Sequence, residues 1–401
     1  MQWSDVLATR STRMKASEIR ELLKLLDQPD IISFAGGIPD PALFPADAFA
    51  RAFADVMADS QAAAALQYSV SEGYKPLRDW IAAEMGKIGV PCTAENILIT
   101  SGSQQALDYL GKLMLSPGDT AMVTWPTYLG ALGAFNAYEP RYVRLDPGSN
   151  ADPEAQKAEA REAGGALKFA YLSADFCNPT GETLTRAARE ALLDQAAALG
   201  VAVIEDGAYQ FLRYDGEPIP PILALDIERS GGIENTRTIY CGSFSKTLAP
   251  GLRVGWVCGA REVISRLVLM KQAADLHSAT MSQIVTDRVA RELFDSHVAR
   301  LRATYGARRD RMLAALDREM PEGVRFTRPE GGMFIWLTLP EGMDGADLLA
   351  RAIAEERVAF VPGGAFHADG SNRNTLRLSF SCAKEEKIDE GIARLGRLLR
   401  G

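Results

Sequence analysis

Apolar and polar residues alternate in two rhythms along the middle of the chain. Short β-rich runs, NILIT (96–100), TAMVTW (120–125), KFAYLSA (168–174), VAVIED (201–206), TIYCGS (238–243) and RVGWVCG (253–259), read as buried strands. Between them, segments such as SQQALDYLGKLML (103–115) and TRAAREALLDQAAALG (185–200) place apolar residues at helical spacing. The alternation predicts an α/β fold with a mostly parallel central sheet covered by helices on both faces. Ligands of such sheets sit beyond the carboxyl ends of the strands, so the residues just after each run are the candidates for chemistry.

After about residue 300 the rhythm changes. A long charged helix is followed by GGMFIWLTLP (331–340), VAFVPGGAF (358–366) and TLRLSFS (375–381), then a final helix, which predicts a smaller α+β domain. FAGGIPDPALFP (34–45) is a connector too rich in glycine and proline for regular structure. The start, MQWSDVLATRSTRMKASEIRELLKLL, reads as a short arm and an amphipathic helix. It has no long apolar run, and its acids speak against a targeting peptide.

Composition narrows the function. A chain of 401 residues, 47% hydrophobic, has room for two domains, or one large and one small, and for a deep dry site. With 44 lysines and arginines against 52 acids, the formal charge of -8 argues against a nucleic-acid coat, although a local pocket can still take a small anion. Five scattered cysteines without CxxC spacing indicate neither a disulfide framework nor zinc, and fit a reducing cytoplasm. The three histidines are far apart, so no metal site is expected.

The strand ends carry the candidate chemistry. After NILIT, the turn Ser101-Gly102-Ser103 into a helix offers free N–H groups that can bind phosphate, or is an ordinary helix cap. After TAMVTW, Tyr128 can stack on a flat ligand or join the core. After KFAYLSA, Asn178 in NPTG can donate to a ligand oxygen or simply make a turn. Asp206 ends an apolar strand with Tyr209 three residues on, and a carboxylate so placed usually has a cationic partner or caps the turn. SFSKTLAPGLRVGW (243–256) then sets Lys246 and Arg253 close together with no acid between them. Ser243, Ser245 and Arg253 can serve one phosphate, while Lys246 can condense with an aldehyde. Arg377, flanked by apolar residues in TLRLSF, is a functional cation or a surface arginine on a strand, and its apolar neighbours favour the first.

These motifs, in this order and over nearly the whole length, resemble the class I/II aminotransferases of pyridoxal 5′-phosphate (PLP) fold type I, and within them the 2-aminoadipate/kynurenine aminotransferase branch. The carriers are FAGGIPDPALFP, LQYSVSEGYKPLRDW, TSGSQQAL, NPTG, EDGAY, SFSKTLAPGLRVGW and TLRLSF. The resemblance implies an arm and helix over 1–45 that belong to the small domain, a large PLP-binding domain over 46–299 and a small C-terminal domain over 300–401.

It assigns Lys246, Asp206 and Tyr209 as catalytic: Lys246 binds the cofactor aldehyde and shuttles the proton, and Asp206 keeps the pyridine nitrogen protonated. Asn178 and Tyr209 would bond the ring hydroxylate and Tyr128 would stack on the ring. Ser101, Gly102, Ser103 and Gln104, with Ser243, Ser245 and Arg253, would hold the phosphate. Arg377 and Asn178 would take the substrate carboxylate, and Tyr68 would reach the phosphate of a neighbouring subunit, implying a homodimer. Ser17, Arg20 and Gly37 would line the substrate side. The implied reaction is ping-pong transfer from glutamate or 2-aminoadipate, or from kynurenine, aromatic or leucine-like amino acids, to an oxo acid such as 2-oxoglutarate, without nucleic acid, membrane or metal.

Two departures stand out: Gly207 lies where this branch often has a second acid, and Asp175 and Cys177 precede Asn178. Rival readings are a PLP decarboxylase or racemase, or the non-enzymatic effector domain of a PLP-binding regulator. The last expects a DNA-binding domain before SFAGGIPD, where only about thirty residues stand, short of an independent domain.

Overall fold

The computed structural model describes residues 2–14, 30–146 and 152–401. Its strands are β1 (Ile32–Ser33), β2 (Ile97–Thr100), β3 (Thr120–Thr124), β4 (Arg141–Leu145), β5 (Leu167–Leu172), β6 (Ala202–Asp206), β7 (Thr238–Ser243), β8 (Gly255–Cys258), β9 (Arg325–Phe326), β10 (Phe334–Thr338), β11 (Val358–Ala359), β12 (Val361–Pro362) and β13 (Thr375–Ser379). Seven of them form one sheet in the order β2-β8-β7-β6-β5-β3-β4. Only β8 runs against its neighbours; every other pairing is parallel.

Burial on both faces explains why these strands read as continuous apolar runs. On β5, Phe169 and Tyr171 join one core while Ala170 and Leu172 join the core on the opposite face. β4 was absent from the expected set because its sequence, RYVRL, is polar and mostly uncovered. It is the edge of the sheet, where charge guards against further pairing. β8 is antiparallel because the link from β7 holds only a short 3-10 turn, Pro250–Leu252, and no crossover helix. That compact link places Lys246 beside the carboxyl end of β7.

A second, four-stranded antiparallel sheet has the order β12-β13-β10-β9, and β1 pairs in parallel with β11. The expected break at residue 300 falls inside one helix, Thr280–Glu319. Its side chains up to Val298 pack in a core with β2, β7 and β8, and from Leu301 onward in a core with β10 and β13. Ile32 and Phe34 belong to that second core, so the first described strand is packed among residues far along the chain. The connector after it contains one 3-10 turn, Pro41–Leu43. The arm makes 3-10 turns at Trp3–Asp5 and Thr9–Thr12, and the expected amphipathic helix, with Ser17 and Arg20, lies outside the described residues. Among the described residues no helix is long and apolar enough to cross a membrane.

Candidate active site

Lys246 lies beyond the carboxyl end of β7, within electrostatic reach of Asp206, Arg253 and Arg377. Its amine donates to the Gly37 carbonyl at 2.9 Å and lies 5.7 Å from the Tyr209 ring centre. It forms no ion pair with any described carboxylate. Burial, reinforced by the nearby Arg377 cation, lowers its pKa from 10.5 to about 8. The amine is thereby poised to act as a base or nucleophile near neutral pH.

Asp206 ends β6 and is 4% exposed. Tyr171 donates its hydroxyl to Oδ2 at 2.9 Å, and the Ala208 N–H reaches Oδ1 at 3.3 Å. Burial raises the Asp206 pKa, while Tyr171, Ala208 and Lys246 oppose the rise. A buried carboxylate held this way, without an ion pair among the described residues, suits a protonated ring nitrogen. Tyr171 itself escaped the sequence reading. Its signal was a phenol in an otherwise apolar buried strand, where the hydroxyl needs a partner.

Arg377 on β13 is 1% exposed. Nη1 donates to Asn178 Oδ1 at 2.7 Å and Nη2 to the Ala35 carbonyl at 2.8 Å, while Nε is buried without a partner. The guanidinium lies 4.2 Å from the Phe334 ring centre and 5.0 Å from that of Phe366. These two rings were not foreseen, and cation–π attraction accounts for them. Burial lowers the pKa of Arg377 to about 10, so the group is still a cation at neutral pH, and no described carboxylate neutralises it. The Tyr209 phenol is pushed up by burial, with Tyr128 adding to the rise.

The phosphate candidates gather at the start of the helix Ser103–Met114. Gly102 has φ +79°, and a Cβ there would lie 2.4 Å from Arg253 Nη2. The backbone angle requires glycine, and any side chain there would displace the Arg253 guanidinium. Arg253 donates to the carbonyls of Ser101 and Pro250, each at 3.2 Å, and pairs with no described carboxylate. Ser243 Oγ meets Ser245 Oγ at 2.8 Å, and Gln104 Nε2 donates to the Gly130 carbonyl at 2.7 Å. Tyr128 caps the neighbouring helix Leu129–Asn136, its phenol pushed up by burial and then by Asp206. Ser101 is placed differently from its neighbours, since its hydroxyl engages Asp275 at 3.4 Å and Ser278 at 3.3 Å. Tyr68 is 79% exposed, with its ring edge-on to His277, apart from the residues around Lys246.

Both departures have structural reasons. A Cβ at Gly207 would lie 2.1 Å from the Tyr240 hydroxyl, which donates to Gln210 Oε1 at 2.6 Å. Tyr240 therefore occupies the space a second acid would need. Asp175 is buried between Arg189 at 2.8 Å and Arg213 at 3.3 Å, and Cys177 has its thiol pushed up to about 12 by burial.

Two guanidinium groups without carboxylate partners among the described residues, a desolvated amine and a buried carboxylate form one constellation. A model of the aminotransferase class I and II family matches residues 29–395. The chain belongs to this family.

Over the full chain it is 43% identical to the 2-aminoadipate transaminase of Thermus thermophilus, covering 98% of that protein, and 42% identical to an aromatic-amino-acid aminotransferase of Thermococcus litoralis, covering 95% of it. Its structure is similar to that of LysN, the α-aminoadipate aminotransferase of Thermus thermophilus, complexed with N-(5′-phosphopyridoxyl)-L-leucine: TM-score 0.88, 41% identity, 100% of this chain and 99% of that one. This class I/II aminotransferase is a PLP enzyme of fold type I. The residues fit that cofactor. Arg253 and the helix start offer an anion cradle, Asp206 a partner for a basic ring nitrogen, and Lys246 an amine for the aldehyde. Arg377, with its orphaned Nε, still needs a second anion.

Proposed function

We propose that this aminotransferase transfers the amino group of glutamate or 2-aminoadipate to 2-oxoglutarate or a similar oxo acid, by a ping-pong mechanism. The observation that carries the reading is Arg377, a buried cation paired with an amide and a carbonyl but with no described carboxylate. A substrate α-carboxylate is the anion it fits, and a forked pair there would fix the orientation of the Cα–H bond.

The cofactor, when bound, supplies the aldehyde that accepts the amino group and the electron sink that acidifies Cα. Lys246 Nζ takes the proton from substrate Cα, a task for which its lowered pKa prepares it. Asp206 keeps the ring nitrogen protonated, and Tyr171 keeps Asp206 in place. Asn178 and Tyr209 bind the ring oxygen, Tyr128 covers the ring, and Ser103, Gln104, Ser243, Ser245 and Arg253 hold the phosphate. Gly37 borders the substrate through its carbonyl.

We also read the enzyme as a cytoplasmic homodimer in which Tyr68 completes the neighbouring site. Its exposure supports this, as do the free cysteines. Residues 46–299 would form the cofactor domain, and 1–45 with 300–401 the small one, in keeping with the separate cores.

The visible spectrum of the purified protein tests the reaction. Adding L-glutamate or 2-aminoadipate alone should bleach the yellow band of the lysine-bound cofactor and release one oxo acid. A band unmoved by both would overturn the proposed donors, and release of carbon dioxide or of the D-amino acid would instead point to a decarboxylase or racemase. Arg20→Ala should reduce kcat/KM for 2-aminoadipate by roughly tenfold, about one charge-assisted contact, and leave leucine within about twofold. Equal losses would remove Arg20 from the recognition of the distal carboxylate.

A further inference from the structure

Lys271 is a buried lysine that the proposed chemistry does not use. It lies in the last turn of the helix Arg261–Gln272, and its side chain is wholly inaccessible. Removing an ammonium from water costs several kcal/mol, so it persists only where every N–H finds an acceptor. Here three residues supply them. Nζ lies 3.0 Å from both carboxylate oxygens of Asp275, from Gln105 Oε1 and from Ser278 Oγ.

All three partners also hold Ser101, the residue that opens the phosphate turn. Gln105 Oε1 accepts the Ser101 N–H at 2.8 Å, and Gln105 Nε2 donates to Asp275 at 2.7 Å. The Ser101 hydroxyl meets Asp275 at 3.4 Å and Ser278 at 3.3 Å. Tyr109, further along the same helix, donates to Asp275 at 3.1 Å. The Ser101 carbonyl in turn accepts from Arg253 at 3.2 Å. The chain of contacts runs from Lys271 to Ser101 and on to the guanidinium on the ligand side.

We propose that Lys271 is a positioning residue for cofactor phosphate: it fixes Gln105 and Asp275, and through Ser101 it aims the helix start and Arg253. It also neutralises Asp275, whose negative charge would otherwise sit behind the phosphate turn and repel the ligand. Ser101 then belongs to the support of the cradle, which explains why its hydroxyl faces Asp275 and Ser278. The inference rests on reading Ser103 to Arg253 as the phosphate region.

The test is to compare PLP with pyridoxal, which lacks the phosphate, by titrating each into the full-length apoenzyme. For Lys271→Met, Kd for PLP should rise about tenfold or more while Kd for pyridoxal changes by less than about twofold. Gln105→Leu alters a half-buried residue, cuts the link to Ser101 and should show the same selectivity, so it decides the matter if Lys271→Met does not fold. Parallel weakening of both ligands, or unchanged PLP affinity, overturns the proposal, because general loosening of the pocket does not distinguish the phosphate. Equal binding of the two ligands by the unaltered protein would overturn the phosphate reading first, and this inference with it.

Discussion

Lys246→Ala should lower turnover by at least about 10⁴-fold, the combined scale of a lost nucleophile and a lost proton carrier. The fold should survive. The amine has one hydrogen bond, to the Gly37 carbonyl, and no ion pair among the described residues, so alanine removes a desolvated group without stranding a buried charge. Circular dichroism and the thermal midpoint would check the fold, and steady-state assays the loss. Near-normal transamination by the variant would sink the mechanism.

The unaltered apoenzyme should show the same lysine titrating. Only the neutral amine attacks an aldehyde, and burial has brought the Lys246 pKa down from 10.5 to about 8. Because the shift is downward, the neutral fraction rises through pH 8 and then saturates. The rate of PLP uptake by the apoenzyme should follow, levelling off above about 8. A rate still climbing steeply at pH values near 10.5 would mean that Lys246 keeps an ordinary pKa.

Arg377→Gln is the second large effect. The glutamine preserves some hydrogen bonding but removes the cation and its fork, leaving the substrate carboxylate unpaired in a buried site. Breaking such a pair costs about 3–5 kcal/mol, so kcat/KM for glutamate should fall by roughly 10²- to 10⁴-fold. PLP affinity should stay within about threefold, since Arg377 makes no contact with the phosphate region. Titration and steady-state kinetics together separate these outcomes. A kcat/KM within about threefold of the unaltered enzyme would assign the carboxylate to another group.

What was legible in the chain follows from how each residue's role is written locally. The strands of the large sheet are covered on both faces, so β5, β6 and β7 appear as apolar runs; β4, a charged edge strand, does not. Lys246, Asp206 and Arg377 were visible because ionisable groups in apolar strings need a reason. Tyr171, Phe334 and Phe366 were not, because an aromatic in a strand looks the same whether it fills a core or holds a carboxylate or guanidinium. Likewise Gly207 read as a missing acid. Only the fold shows Tyr240 in the volume that an acid would occupy. Ser101 was grouped with its neighbours by adjacency, although the helix start turns its hydroxyl toward Asp275, 174 positions away.

The pairing of β1 with β11 has a consequence in time. Ile32 finds Val358 only after more than three hundred further residues have been made, and Phe34 then bonds Ala359 and Ser379. At about 5–20 residues per second, the segment carrying Gly37 leaves the ribosome roughly 15–65 seconds before its partners do. The carbonyl that receives the Lys246 amine, and the one that receives Arg377, are therefore anchored last, so the large sheet, whose last strand ends at Cys258, has all its strands while the proposed substrate wall is still open.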